Sequence, residues 1–321
     1  MASILETPPL DILENLEALK RDLDTNVPPK KLDKNLLIAS WNIRGFGNLT
    51  REWMSTENDS PKRDLHSVLC IAEILKRFDV IAIQELKSNL RAFRDTLKVL
   101  GPNWSFILTD VTKGNAGNGE RMAYLFDTRR VNLSGLACEL VVPDEWLNAG
   151  ANENTLKSQF ARTPYAVSFK SGKQTFILVT LHILYGDNAA ARIPELEVIA
   201  KWLAKWSGNV NAYSQNLIAL GDFNIDKRGD LLHQTFIKEG LYIPEKLQDE
   251  SVLRSIFDKS RYYDQIAWFK DSQFGANLTM EYTNAGSFDF LTSALVNRDL
   301  TKRSKSFMIS DHYPLWCEFK V

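Results

Sequence analysis

Residues 216–224 read NLIALGDFN, an aliphatic run that stops at a glycine and then presents Asp222 and Asn224. A short apolar stretch closed by turn formers has the pattern of a β-strand. The same shape recurs along the chain. LLIASWNI at 36–43 carries Asn42 near its end, DVIAIQEL at 79–86 carries Glu85, and TFILVTLH at 175–182 ends on His182. Further strands are predicted at RMAYLFD (121–127), TPYAVSFK (163–170), YDQIAWF (263–269) and YPLWCEFKV (313–321). Helical periodicity marks LHSVLCIAEILKRF (65–78) and ARIPELEVIAKWLAKW (191–206). Eight strands with few long helices suit an α+β fold of two packed sheets flanked by helices better than a repeating βαβ array. Residues 51–64 and 143–159 are polar and weakly patterned, and read as loop insertions.

Ahead of the first strand, DILENLEALKRDL (11–23) spaces Ile12, Leu13, Leu16, Leu19 and Leu23 as one face of an amphipathic helix, and NVPPKKLDKN follows as a linker. Residues 1–35 are therefore predicted to be a helix and linker, and residues 36–321 the main folded domain. So short a helix is marginal alone, and its leucine face is expected to lie against the domain, a second subunit or a partner.

The chain has 321 residues, 44% of them hydrophobic, enough for one large core. With 39 Lys plus Arg against 40 Asp plus Glu, the net charge is −1, so there is no global positive field for passive nucleic-acid binding. A nuclease remains possible, because a metal ion can supply charge at a scissile phosphate. Cys70, Cys138 and Cys317 lie far apart without metal-ligand spacing and are expected as buried free thiols. No run of about 18 apolar residues occurs, and the N-terminus lacks a basic start and an apolar stretch, so a cytoplasmic protein without stable membrane association is expected.

Strands that end in acidic, amide or imidazole residues at a common edge can gather a site from distant segments. Taken singly, an Asn or Asp at a strand end is a turn former or a cap. Taken together, hard oxygen ligands, two imidazoles and an arginine make up the inventory for metal-assisted phosphoryl transfer.

NIRGFG (42–47), QE (84–85), LH (181–182), GDFN (221–224), YDQI (263–266) and SDHYP (310–314) occur in the order and approximate spacing of one set of motifs. Through them the chain resembles the endonuclease/exonuclease/phosphatase superfamily over residues 36–321. The resemblance implies a four-layered α/β sandwich with the site at one edge of the two sheets. It assigns Glu85, Asp311 and Asn42 to a divalent metal, Mg²⁺ or Mn²⁺, with Ca²⁺ as a further possibility. Asp222 and Asn224 then orient the attacking water or the phosphate, and His182 and His312 share the roles of base and acid. Glu120 is the matching partner of His182, and Asp264 that of His312.

His182 separates the chain from the abasic-site endonuclease branch, which lacks a histidine there, and FARTP (160–164) resembles the deoxyribonuclease I branch, where Arg162 matches a phosphate clamp. Arg44 and Lys87 match basic DNA contacts of that branch, the first in the minor groove. Asn118 departs from it, standing where deoxyribonuclease I has a DNA-contacting tyrosine. The resemblance thus implies a DNA endonuclease, with the oligomeric state left open. A phosphatase or phosphodiesterase of phospholipid or inositol phosphate head groups is the enzymatic alternative, and a catalytically silent scaffold the non-enzymatic one. His66 and His233 match nothing and receive no role.

Overall fold

The computed structural model describes residues 2–113, 117–147, 159–209, 216–270 and 278–321. In chain order the helices are α1 (Leu10–Asn26), α2 (Leu65–Leu75), α3 (Arg91–Leu100), α4 (Ile193–Ser207), α5 (Leu231–Ile237) and α6 (Lys302–Met308). The strands are β1 (Asn35–Phe46), β2 (Val80–Lys87), β3 (Trp104–Leu108), β4 (Glu120–Asp127), β5 (Asn132–Glu139) and β6 (Tyr165–Ser171). They continue as β7 (Gln174–His182), β8 (Leu217–Asp222), β9 (Leu241–Tyr242), β10 (Asp264–Phe269), β11 (Tyr282–Ser287) and β12 (Leu315–Lys320). One six-stranded sheet runs β11-β12-β1-β2-β4-β3 and the other β5-β6-β7-β8-β10-β9. Two mixed sheets packed face to face and flanked by helices make the expected sandwich.

Each sheet is organised around one parallel pair, β1 with β2 and β7 with β8, and the other pairings are antiparallel. A parallel pair needs a crossover, and α2 and α4 supply one each. Strands covered on both sides must be apolar on both sides, which explains the unbroken runs in the sequence. Along β1 the period of two still sorts the faces: Leu36 and Ile38 join the core that contains Phe169 and Phe176, whereas Leu37, Ala39 and Trp41 join α1 and α2. At the centre of the sandwich Gln84 crosses between the sheets, donating to Ser40 Oγ at 3.2 Å and to Thr180 Oγ1 at 2.8 Å.

The strands that the sequence reading passed over are β3, β5, β9 and β11, and the helices α3, α5 and α6. β9 is two residues long, and β5 (NLSGLACE) and β11 (YTNAGS) are edge strands with polar or glycine positions, so they carry no apolar run. The 51–64 segment forms bends and turns without a helix or strand. Most of the expected 143–159 loop lies outside the described residues. Cys70 and Cys317 are buried free thiols, as expected, while Cys138 is only half-buried. Among the described residues no helix is long and apolar enough to cross a membrane.

The expected N-terminal helix forms, and its apolar face is Ile12, Leu16, Leu19 and Leu23; Leu13 is 37% exposed and falls outside it. The face packs into the core shared with β1 and α2, so it is the chain's own body that covers it. Asn15 fastens it. Its Nδ2 donates to Ser293 O at 2.8 Å, while its Oδ1 accepts from Leu295 N at 3.1 Å and from His66 Nε2 at 2.9 Å. His66 thus has a structural partner, and burial lowers its pKa to about 4, keeping the ring neutral. Replacing Asn15 by Ala would orphan a buried carbonyl, amide and imidazole. We expect Asn15→Ala to lower the unfolding free energy by about 2–4 kcal/mol in urea titration, and a loss below about 1 kcal/mol would show that α1 is not held through this residue.

Candidate active site

The C-terminal ends of both parallel pairs reach the same edge of the sandwich. Asn42 and Glu85 arrive from β1 and β2, and His182 lies opposite Asp222 in the register of β7 and β8. Asp264, at the start of β10, pairs with Asp222, and Glu120, at the start of β4, pairs with Lys87. His312 follows α6 and precedes β12. Ligand sites form outside the carboxyl ends of parallel strands because chain turns there leave a crevice. Here the crevice is a cleft of 430 Å³ lined by Glu85, Glu120, Arg162, His182, Asp222, Asn224, Asp311 and His312 among others.

Asp222 is the centre. Its Oδ2 lies 3.6 Å from His182 Nε2, 3.9 Å from His312 Nε2 and 3.0 Å from the Asn42 Nδ2 that donates to it. Its Oδ1 accepts from Asn224 N at 2.9 Å. Burial alone would raise its pKa, but the two imidazoles and these donors outweigh it and hold the carboxyl below the usual range. The preceding residue must be glycine: Gly221 has φ +146, and a Cβ there would meet Leu181 O at 2.1 Å.

Each imidazole is backed by a carboxylate on its far nitrogen. His312 Nδ1 lies 2.6 Å from Asp264 Oδ2, and His182 Nδ1 lies 3.1 Å from Glu120 Oε2. Burial pushes Asp264 up to about 6 against the pull of His312, and burial disfavours the charged form of His312 as well. The two groups share one proton. Three carboxylates, Asp264, Asp222 and Asp311, face His312, raise it well above the ordinary imidazole range and place the proton on the ring. Glu120 is buried, which raises its pKa, but His182, Arg162 and Lys87 bring it down to about 2.

The basic residues divide. Arg162 lines the cleft and brings Nε within 2.6 Å of Glu120 Oε2. Lys87 and Arg44 are absent from the lining and are engaged by acids of the site: Lys87 Nζ donates to Glu120 Oε1 at 2.9 Å, and Arg44 Nη1 lies 3.5 Å from Asp311 Oδ2 and donates to Ser306 Oγ at 2.7 Å. Asn118 takes over part of the support of Glu120, donating to Oε1 at 2.6 Å. Glu85, Asn118 and Asn224 hold left-handed φ of 60°, 55° and 50°, a conformation that non-glycine residues keep only where the surroundings impose it.

Several contributors escaped the sequence reading. Tyr185, Tyr263 and Phe257 line the cleft with aromatic rings. Glu195, buried in the first turn of α4, accepts from Ala161 N at 3.2 Å and Leu184 N at 2.9 Å, tying the Arg162 turn to the residues after His182. Arg63 is fully buried and donates to the carbonyls of Gly45, Arg44, Met308 and Ile309, joining the end of β1 to the turn before Asp311. An arginine surrounded by polar loop residues gives no sequence signal of such a role. His233 is a structural residue, accepting from Gly229 N at 3.0 Å.

Comparison with known proteins gives the family. Residues 39–312 match the Endonuclease/Exonuclease/phosphatase family. A protein named Deoxyribonuclease from Thioalkalivibrio sp. (strain K90mix) is 30% identical over 201 residues, which cover 61% of this chain and about half (48%) of that relative. An endonuclease/exonuclease/phosphatase family protein from Bacteroides thetaiotaomicron superposes with a TM-score of 0.58 at 17% identity, covering 89% of this chain and 98% of the other. D. rerio TDP2, solved with a single-strand DNA product, gives 0.55 at 16% identity over 89% and 99%. The family match, running from β1 to His312 and carrying both imidazoles with the carboxylates that hold them, places the chain in the endonuclease/exonuclease/phosphatase family of phosphoester hydrolases.

Proposed function

We propose that the chain is a divalent-metal-dependent phosphodiesterase acting on DNA as an endonuclease, with water as the nucleophile. One observation carries the reading: two imidazoles present Nε2 to the same oxygen of Asp222 while the Nδ1 of His312 is hydrogen-bonded to Asp264 and that of His182 lies 3.1 Å from Glu120 Oε2. A carboxylate on one nitrogen sets the tautomer and strengthens the other as a proton carrier. Two such carriers facing one point suit a displacement in which one takes a proton from water and the other protonates the leaving oxygen. Asp222 and Asn224 orient the water or the phosphate between them, and Arg162 clamps a non-bridging oxygen.

The residues present fit a hard cation. Asn42, Glu85 and Asp311 offer only oxygen donors, and Asn42 Oδ1 is buried without a hydrogen-bond partner. Glu85 is held in place by Asn42 Nδ2 at 3.2 Å and Gly45 N at 2.8 Å. Among the described residues no three His, Cys, Asp or Glu side chains close into a ligand cage. Oxygen donors of this kind are what Mg²⁺ and Mn²⁺ take, together with waters. When bound, such an ion supplies positive charge to the phosphate oxygens in the transition state.

DNA as substrate is supported by the relative named a deoxyribonuclease and by the neighbour solved with a DNA product. Arg44 and Lys87 would reach a duplex by exchanging their carboxylate partners for substrate phosphates or groove atoms. The decisive assay incubates the full chain with supercoiled plasmid, linear duplex, single-stranded DNA, RNA and inositol phosphates. Nicking of the plasmid is the expected result, and turnover of inositol phosphates alone would overturn the DNA assignment.

We expect His182→Ala and His312→Ala each to lower kcat on plasmid by about 10²–10⁴-fold, with the double variant far less impaired than the product of the two. Near wild-type turnover in either single variant would remove that histidine from the chemistry. EDTA should abolish nicking, with Mg²⁺ or Mn²⁺ restoring it, and Glu85→Gln should lose most activity while its melting temperature changes little. Full turnover in EDTA would refute the metal requirement.

A further inference from the structure

A second cleft, of 540 Å³, adjoins the catalytic one: Arg261 lines both. Five cations line it, Lys227, Arg228, Arg254, Lys259 and Arg261, against the two acids Asp249 and Glu250. In a chain of net charge −1 this is a local excess that the composition does not predict. Arg254 adds a buried charge, because its guanidinium donates only to the backbone carbonyls of Asp264, Val252 and Leu247 and stacks 3.9 Å above the Tyr262 ring. Tyr262 is 5% exposed, and its hydroxyl is a buried donor without a hydrogen-bond partner among the described residues. The ammonium groups of Lys227 and Lys259 are exposed and make no ion pair among the described residues. Arg261 is already oriented, with Nη1 2.8 Å from Asp226 Oδ1 and Nε 3.2 Å from Asp258 Oδ2.

Unsatisfied positive charge beside a donor lacking an acceptor calls for an anion with several oxygens. Continuity with the catalytic cleft through Arg261 says which one. We propose that this cleft is a second phosphate subsite, holding a backbone phosphate of a polynucleotide strand whose scissile phosphate lies between His182 and His312. The proposal rests on the phosphodiesterase reading. It adds that the substrate must carry more than one phosphate to be bound well, so that a strand is preferred over a small diester. The contact is to backbone and carries no base information.

The test compares a short oligodeoxynucleotide with bis(4-nitrophenyl) phosphate, a diester with a single phosphate, on the full chain with Mg²⁺ or Mn²⁺. For the double variant Lys227→Glu, Lys259→Glu, the ratio of kcat/KM for the oligonucleotide to kcat/KM for the small diester should fall about tenfold, through KM. The slope of log kcat/KM against log salt for the oligonucleotide should fall by about one to two. Tyr262→Phe, which loses no intramolecular hydrogen bond, should raise the oligonucleotide KM by about threefold. If the wild type cleaves both substrates and the variants keep its KM and salt slope, the subsite is refuted and the phosphodiesterase reading stands. An equal fall on both substrates would mean structural damage and would also refute the subsite. A wild type that cleaves neither diester would overturn the phosphodiesterase reading and the subsite with it.

Discussion

The site depends on a buried carboxylate that is kept ionised. Asp222 sits at the C-terminal end of β8 almost fully buried at the floor of the cleft, where burial favours the neutral acid. Two imidazoles, the Asn42 amide and the backbone of Asn224 all converge on it and reverse that preference. Those partners belong to both sheets: Asn42 to β1 of one and His182 to β7 of the other. The inward ends of the two sheets are therefore brought together by one charge, with the Gln84 bridge to Ser40 and Thr180 holding the layers in register beneath it.

Rigidity follows from how the supporting residues are themselves satisfied. Arg63 and Arg254 are buried cations that act through backbone carbonyls, and burial lowers the pKa of each to about 10. Arg63 gathers the NIRG turn and the turn before Asp311; Arg254 gathers the loops around β10. Glu195 performs the complementary task with acceptor oxygens, collecting amides next to Arg162 and His182. Removing any one of these side chains leaves several backbone groups without partners, which is costlier than the loss of a single contact. Left-handed backbone at Glu85, Asn118 and Asn224 is tolerable in such a frame.

The rim has the opposite character. Lys87 and Arg44 are paired with Glu120 and Asp311, acids that line the cleft. The Arg44–Asp311 pair is partly exposed on both sides and exchanges at little cost, whereas in the Lys87 pair the Glu120 carboxylate is buried. The tyrosines and Phe257 that line the cleft provide apolar faces beside its charges.

Much of this was legible in the amino-acid sequence. Strands buried on both faces advertise themselves as unbroken apolar runs, and the polar residues that end them lie at the site because a strand can expose a side chain to ligand only where it leaves the sheet. The core strands, α2, α4 and the residues Asn42, Glu85, His182, Asp222 and Asn224 were readable in that way, since each lies in or at the end of such a run, whereas Glu120, Asp264, Asp311 and His312 stood out only through the resemblance of their motifs to a known family. Edge strands β5 and β11 were not, because an edge has a solvent side and no apolar continuity is required of it. Nor were Arg63, Arg254 and Glu195, whose roles consist of hydrogen bonds to backbone far away in sequence. Local pattern therefore determined which strands form and which chemical groups end them. Only the tertiary structure decided that Arg44 and Lys87 stand on the rim with carboxylate partners, that α1 is seated on the body through Asn15, and that five cations share a cleft beside the active one. Charge pairing between distant loops is a matter of distance in space, and no periodicity along the chain records it.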